Sequence, residues 1–203
     1  MKPSRFGRLV PYAVAALLAI ELPVLWWLYP GEADAYSQSW ALARALGWQA
    51  FGALCVALCV TPIARLAARF TQARSGWSRE LRRGLGLLAA TTGLVHAAIA
   101  WRAIPAVRAG LFESAQLRAG VAALAILCLL YLTSFRSLVR RLSLGFWKEL
   151  HRLAYVAFAL VALHALFGAF TPLRTVLWLA GCTLLIGLLR LLPRKRAAQS
   201  WPL

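Results

Sequence analysis

Acidic side chains are scarce in this sequence. Six Asp and Glu stand against 23 Lys and Arg in 203 residues, and histidine occurs three times. Proton pathways through a membrane generally use carboxylates inside the spanning segments. Here the carboxylates all fall in predicted loops or near the ends of apolar runs: Glu21, Glu32, Asp34, Glu80, Glu113 and Glu149. The sequence therefore disfavours a buried proton relay.

Cysteine is also infrequent, and its spacing excludes the usual metal motifs. None of the four cysteines forms a C-x-x-C pair, and all four lie inside apolar runs. Cys55 and Cys59 share a helix face, but two thiols do not complete a tetrahedral zinc site. We interpret the cysteines as small apolar side chains packed inside the protein.

Long apolar runs dominate the remainder of the chain, which is 62% hydrophobic with a mean hydropathy of +0.69. Soluble domains are closer to half apolar, whereas about 20 consecutive apolar residues suffice to cross a bilayer. Backbone polar groups in lipid must be satisfied within the segment, so such runs form helices. We predict an all-α polytopic membrane protein, a bundle of six transmembrane helices. The predicted spans are Leu9–Tyr29, Ala41–Ile63, Gly84–Ile104, Leu117–Leu138, His151–Phe170 and Thr175–Leu192.

The basic residues predict how the bundle is oriented. Most of them fall in alternate loops and at both ends of the chain, which identifies the cytoplasmic side. The opposite side keeps only Arg44, Arg102, Arg108, Arg118 and Arg174. We therefore expect a cytoplasmic N-terminus at 1–8, a transmembrane domain at 9–192 with a retained first helix, and a basic cytoplasmic tail at 193–203. Because the basic residues flank apolar runs, the net charge of +17 does not indicate nucleic-acid binding.

Two histidines lie at matching depths in this arrangement. His96 is 12 residues into the third span, roughly 18 Å of rise, and His164 is 13 residues into the fifth, roughly 20 Å. Both spans enter from the cytoplasm, so the two imidazoles are expected at one level, where they can hold a haem iron from both faces. Gly93 and Gly168, each one turn away, offer room for a flat macrocycle. The alternative is that both are hydrogen-bonded packing residues.

The third histidine, His151, lies at the cytoplasmic end of the fifth span. Arg82 occupies the position on the third span where a partner of His151 would be expected. Three interpretations stay open for His151. It ligates a second haem, alone or with weak help from Arg82; it contacts haem propionates or a quinone head group; or it is an interfacial residue without a redox role.

Several motifs resemble the ferric-reductase-like transmembrane domain over about residues 40–192. They are VTPIARL at 60–66, RRGLGL at 82–87, His96, the segment LTSFRSLVRRLSLGFWKELHRLAY at 132–155, and His164. The resemblance is greatest to the haem-binding branch that serves periplasmic methionine-sulfoxide reduction. It implies haem b, one or two per chain, in the bacterial inner (plasma) membrane. It also implies that His96, His164 and His151 correspond to the family's ligand histidines and Arg82 to an arginine of the second site, and that FMN is a further cofactor.

The resemblance also implies the partners. Electrons would come from quinol or a cytosolic flavin reductase and pass to a periplasmic molybdenum-containing reductase subunit, so this chain would be an electron-transfer subunit and not the catalytic one. Two alternatives remain. One is an orphan ferric-reductase-type component that reduces metal chelates, and the other is a small transporter or scaffold without a redox role.

Overall fold

The computed structural model describes residues 35–70, 77–135, 138, 142–168 and 173–191. All regular secondary structure in these ranges is helical. The helices are α1 (Ala35–Phe70), α2 (Trp77–Ala103), α3 (Pro105–Gly110), α4 (Ala115–Leu132), α5 (Leu144–Leu150), α6 (Leu153–Leu166) and α7 (Leu173–Leu191).

The helices confirm an all-α, multi-pass membrane protein. Within the described ranges, four segments are long and apolar enough to cross a bilayer, namely Ser37–Leu66, Glu80–Ala103, Ala115–Leu132 and Gly145–Leu166, and α7 adds a shorter apolar stretch, Arg174–Leu189. These correspond to predicted spans two to six. The predicted first span, Leu9–Tyr29, and the two predicted cytoplasmic termini lie outside the described residues.

Helix α1 continues beyond the predicted end of the second span. It passes through Pro62 and ends at Phe70. Proline suits a helical φ angle, but it removes one N–H donor and crowds the carbonyl four residues earlier, at a cost of about 3 kcal/mol. Neighbouring helices in a membrane protein can satisfy the freed carbonyl, and the residues after Pro62, IARLAARF, are mostly strong helix formers. The helix therefore ends at Phe70, beyond the predicted boundary at Ile63.

The boundaries around the fifth span also differ from the prediction. Helix α4 stops at Leu132, where the Thr133 and Ser134 hydroxyls donate to the Leu129 and Leu130 carbonyls at 2.8 and 2.7 Å. The Leu129 carbonyl also accepts from the Thr133 backbone N–H at 3.0 Å, and the Ser134 hydroxyl supplies a donor to the Leu130 carbonyl in the last turn, where carbonyls lose their helical partners. The next helical segment begins before the predicted start, with the Ser143 hydroxyl capping α5, and His151 and Arg152 then form a turn between α5 and α6.

The helices pack as two pairs. Helix α1 packs along α2, and α4 packs along α6. Alanines line the first interface, including Ala50, Ala53 and Ala89, all nearly inaccessible. In lipid, small residues permit the close helix approach that supplies packing energy. The two pairs contact each other through α2 and α4 and through α1 and α6, where Phe51 stacks on Phe158 with ring centroids 5.5 Å apart.

Candidate functional site

His96 and His164 meet between the two helix pairs. His96 lies on α2 and His164 lies in the last turn of α6. Their ring centroids are 6.2 Å apart and the ring planes are inclined by 75°. The two imidazoles that the sequence predicts at one depth are therefore brought together.

Each imidazole is oriented by a hydrogen bond to a backbone carbonyl. His96 Nδ1 lies 2.6 Å from the Ala43 oxygen, and His164 Nδ1 lies 2.9 Å from the Gln116 oxygen. A carbonyl oxygen only accepts, so Nδ1 carries the hydrogen and donates it in both rings. In a neutral imidazole this leaves the lone pair on Nε2. Both rings are thus in the tautomer that binds metal through Nε2.

Each carbonyl belongs to the helix that packs along the histidine's own helix. Ala43 is on α1, which packs along α2, and Gln116 is in the first turn of α4, which packs along α6. In the described ranges, α2 and α6 do not pack closely against each other. The two histidines therefore reach toward each other across the space between the pairs.

Two glycines lie directly against the histidine rings. A Cβ atom added at Gly47 would lie 3.1 Å from His96 Nδ1, and one added at Gly120 would lie 2.7 Å from His164 Nδ1. The sequence predicts that Gly93, one turn before His96, makes room beside the histidine. A Cβ there would meet only Leu124 and Ala50, at 3.6 and 3.9 Å. Gly93 therefore serves the packing between helices and is not against a histidine.

His151 lies apart from this pair, in the turn between α5 and α6. Its ring lies on the Trp147 indole, with centroids 4.2 Å apart. The indole nitrogen of Trp147 donates to the Thr133 carbonyl at 3.1 Å, which ties α5 to the end of α4. His151 Nε2 is buried and has no hydrogen-bond partner within the described residues. A buried ring nitrogen without a partner is unusual, because buried polar groups are generally hydrogen-bonded.

Arg82 is near His151, as the sequence analysis anticipated. The two side chains are close enough to interact electrostatically, and Arg82 Nη1 donates to Thr61 Oγ1 at 3.2 Å. The motifs around Thr61 and Arg82 therefore meet in space. Nearby in sequence, Arg152 forms an ion pair with Glu149 at 2.6 Å, and both side chains are exposed.

The donor set limits what the site can bind. In the described ranges, no group of three or more His, Cys, Asp or Glu side chains is placed to hold a metal ion. The four cysteines are free thiols. A bare zinc ion would need more protein ligands than the histidine pair provides, whereas a porphyrin iron needs only axial ones.

Sequence reasoning missed four components of the site: the carbonyls of Ala43 and Gln116 and the glycines at 47 and 120. One signal was present. Each glycine follows its carbonyl residue by four positions, in ARALG at 43–47 and in QLRAG at 116–120. This spacing places the two on one helix face, although it does not reveal which side chain they face.

Comparison with known proteins assigns the family. The family model described as "Ferric reductase like transmembrane component" matches residues 38–162, more than half of the chain. The match includes Arg82, His96 and His151 and ends just before His164.

Individual relatives agree with this match. The protein-methionine-sulfoxide reductase heme-binding subunit MsrQ of Rhodospirillum rubrum is 32% identical over 97% of this chain and 93% of its own length. The protein of the same name from Deinococcus radiodurans is 39% identical over 57% of this chain and 59% of its own. The magnetosome protein MamZ of Paramagnetospirillum magneticum is 27% identical over 80% of this chain but only 26% of its own length. The chain therefore belongs to the family of ferric-reductase-like transmembrane components, and its relatives include MsrQ subunits.

Proposed function

We propose that this chain is a membrane electron-transfer subunit that binds haem b through His96 and His164. The observation that carries the proposal is the 6.2 Å separation of the two rings. Imidazoles that bind one metal atom from opposite sides have centroids about 6 Å apart, because each metal–nitrogen bond is about 2.0 Å and the nitrogen is about 1.1 Å from its ring centre. The histidine pair therefore fits a single iron.

The hydrogen bonds of the pair support the same assignment. Metal-binding histidines usually donate their second ring N–H to a carbonyl or carboxylate, which fixes the tautomer and makes the ligand more basic. His96 and His164 both do so, toward Ala43 and Gln116. A histidine that only packs against its neighbours does not require a hydrogen bond from Nδ1 to a backbone carbonyl. Here both histidines, at the same level, make one.

The chain's residues would then act on the cofactor in two ways. His96 and His164 would hold the iron and leave no coordination site open for a substrate, which suits electron transfer. The apolar helices around the pair exclude water and so influence the redox potential. When bound, haem iron supplies a one-electron redox couple.

His151 and Arg82 form part of a second site in this proposal. The buried, unpartnered Nε2 of His151 supports a ligand there, and the proximity of Arg82 supports one that carries negative charge. A second haem or the propionates of the first would meet both requirements, whereas an uncharged quinone head group would meet only the first, through Nε2 of His151. FMN comes to the proposal from the family resemblance, and we assign no residue to it.

The relatives' names suggest the partners. The two MsrQ proteins are named as subunits of a methionine-sulfoxide reductase. We infer that this chain receives electrons from quinol or a cytosolic flavin reductase and delivers them to a periplasmic molybdenum-containing reductase. It would do so as a six-span protein of the bacterial inner membrane, with a transmembrane domain at 9–192 and both termini, 1–8 and 193–203, in the cytoplasm.

A second candidate, reduction of ferric chelates, is favoured by the family match itself. Reoxidation of the reduced protein distinguishes the two. Rapid reoxidation by a molybdenum-containing methionine-sulfoxide reductase from the same organism supports the first. Rapid reoxidation by ferric citrate alone, with no response to the reductase, supports the second.

Absorption spectra of the purified full chain in detergent test the ligand assignment. We expect sharp Soret and α bands on dithionite reduction, typical of low-spin haem b. His96→Ala and His164→Ala should lose most of this signal, whereas His151→Ala should lose only part. Thr91→Ala, a half-buried polar position on the same helix as His96, is the matched control and should keep it.

A chemical rescue strengthens this test. His164→Gly removes the whole side chain and leaves space for free imidazole. Added imidazole should then restore a low-spin spectrum although the residue is still glycine. If both His96→Ala and His164→Ala keep the full low-spin spectrum, the ligand assignment is wrong.

A further inference from the structure

The two histidines are held by the same local arrangement, built twice. On α1, the Ala43 carbonyl accepts from His96, and Gly47 lies four residues later against the ring. On α4, the Gln116 carbonyl accepts from His164, and Gly120 lies four residues later against the ring. Each arrangement thus consists of a carbonyl, a glycine one turn on, and a histidine from the neighbouring helix.

Helix geometry explains why the residue four positions after each carbonyl residue is glycine. In an α-helix the carbonyl of residue i already accepts from the N–H of residue i+4. Every Cα–Cβ bond tilts toward the helix N-terminus, so the side chain at i+4 covers the carbonyl of residue i. Glycine leaves it uncovered, and the second lone pair of the oxygen can then accept from a donor that approaches from the side.

The distances show that a side chain at either glycine would conflict with the histidine. At Gly120 an added Cβ would lie 2.7 Å from Nδ1, 3.0 Å from Cε1 and 3.1 Å from Cγ of His164. At Gly47 it would lie 3.1 and 3.2 Å from Nδ1 and Cε1 of His96. By contrast, a Cβ at Gly52, Gly86 or Gly181 would meet nothing within 4 Å.

We propose that Gly47 and Gly120 are positioning residues for the two imidazoles: they expose the Ala43 and Gln116 carbonyls and so fix the tautomer and rotation of each ring. This inference rests on the proposed function for its link to haem, but it is also a statement about the apoprotein. Neither glycine is assigned a contact with the cofactor.

We predict that replacing either glycine by alanine weakens haem binding, to a different extent at each position. In Gly120→Ala the His164 ring must move away from the Gln116 carbonyl, and its hydrogen bond is lost. Loss of an outer hydrogen-bond partner of a metal ligand typically costs about 10- to 100-fold in affinity. We expect a loss of this size for haem in Gly120→Ala and a smaller one in Gly47→Ala, whose contacts are longer. The midpoint potential should rise in both, because a less basic imidazole stabilises the ferric form less.

The experiment uses the full chain with four substitutions: Gly47→Ala, Gly120→Ala, and the controls Gly52→Ala and Gly86→Ala. Gly52 is on the same helix as Gly47, and the two controls add the same methyl group into open space. Haem affinity, the reduced spectrum and the midpoint potential are measured for each. Alanine is the better helix former, so haem loss accompanied by unchanged apoprotein thermal stability reports positioning and not folding.

A second measurement needs no haem. Nitrogen-15 NMR of histidine-labelled apoprotein reports the tautomer of each ring. The unsubstituted chain should show His96 and His164 with hydrogen on Nδ1, identified by their loss in His96→Ala and His164→Ala. In Gly120→Ala the His164 signals should change to those of mixed tautomers.

The outcomes separate the two proposals. If the unsubstituted chain binds no haem, the proposed function fails while the NMR result still decides the role of the glycines. If Gly47→Ala and Gly120→Ala keep the original affinity, potential and tautomers, the positioning inference is wrong. Equal losses in the two control variants also overturn it, because the effect would then reflect general packing.

Discussion

One of the contacts that join the two helix pairs can be tested by truncating Phe158. This side chain of α6 is 6% exposed and stacks on Phe51 of α1, with ring centroids 5.5 Å apart and planes inclined by 19°. Phe158→Ala removes the ring and leaves a cavity between α1 and α6. It should destabilise the fold and loosen the geometry on which the histidine pair depends.

The environment determines the magnitude. In water-soluble proteins Phe→Ala in a core costs about 3–5 kcal/mol, which includes the transfer of the ring out of water. Lipid is as apolar as the core, so little transfer energy is at stake here. The cavity remains: about 100 Å³ at about 24 cal/mol per Å³ gives about 2.4 kcal/mol. The lost ring stacking adds about 0.5–1.5 kcal/mol, so we expect a total near 3 kcal/mol.

Reversible unfolding of the detergent- or bicelle-embedded protein, followed by helical circular dichroism, measures this free energy. The matched control is Phe167→Ala, where the ring is 70% exposed and the expected change is below about 0.5 kcal/mol. If Phe158→Ala is as stable as the control, the stack does not hold the two pairs together. The haem spectrum of Phe158→Ala should be weaker than that of the control.

Three further predictions concern the His151 region and the orientation. Trp147→Phe keeps an aromatic ring over His151 but loses the hydrogen bond to the Thr133 carbonyl, so the free energy of unfolding should fall by about 1 kcal/mol. An unchanged free energy would show that this bond does not stabilise the fold. Arg82→Gln should alter only the spectral component that His151→Ala also alters, and loss of the main low-spin signal would contradict separate sites. In a cysteine-free background, an impermeant maleimide should label Glu113→Cys from the periplasm and Lys148→Cys only from the cytoplasm; the reverse pattern would invert the topology.

The positions of the long helices could be predicted from the sequence because apolar length alone decides membrane insertion. Their ends could not be placed as well. Helix α1 continues past Pro62 because the residues after it are mostly strong helix formers and neighbouring helices can compensate for the hydrogen bond that proline removes. The break at His151 also escapes an analysis by hydropathy, because α5 and α6 together form one apolar segment.

The level of the histidine pair could be predicted for a simple reason. Rise per residue is constant in a helix, so counting from the cytoplasmic boundary was enough to place His96 and His164 together. The groups that orient them could not be predicted in this way. Whether Gly47 or Gly93 lies against a ring depends on how α1 and α2 are rotated about their axes, and glycines in membrane helices also serve ordinary packing. A backbone carbonyl has no side-chain identity of its own, and the glycine four residues after it does not reveal which side chain the carbonyl faces.

The anchoring of each imidazole within its own helix pair has a consequence for biogenesis. Since Ala43 orients His96 and Gln116 orients His164, neither ring depends on the opposite half of the molecule for its direction. A newly inserted chain can therefore present both ligands before any prosthetic group arrives. If the pair binds the proposed haem, cofactor binding would then need no reorientation of either imidazole, and the supply of cofactor in the cell would limit the accumulation of working protein more than a refolding step.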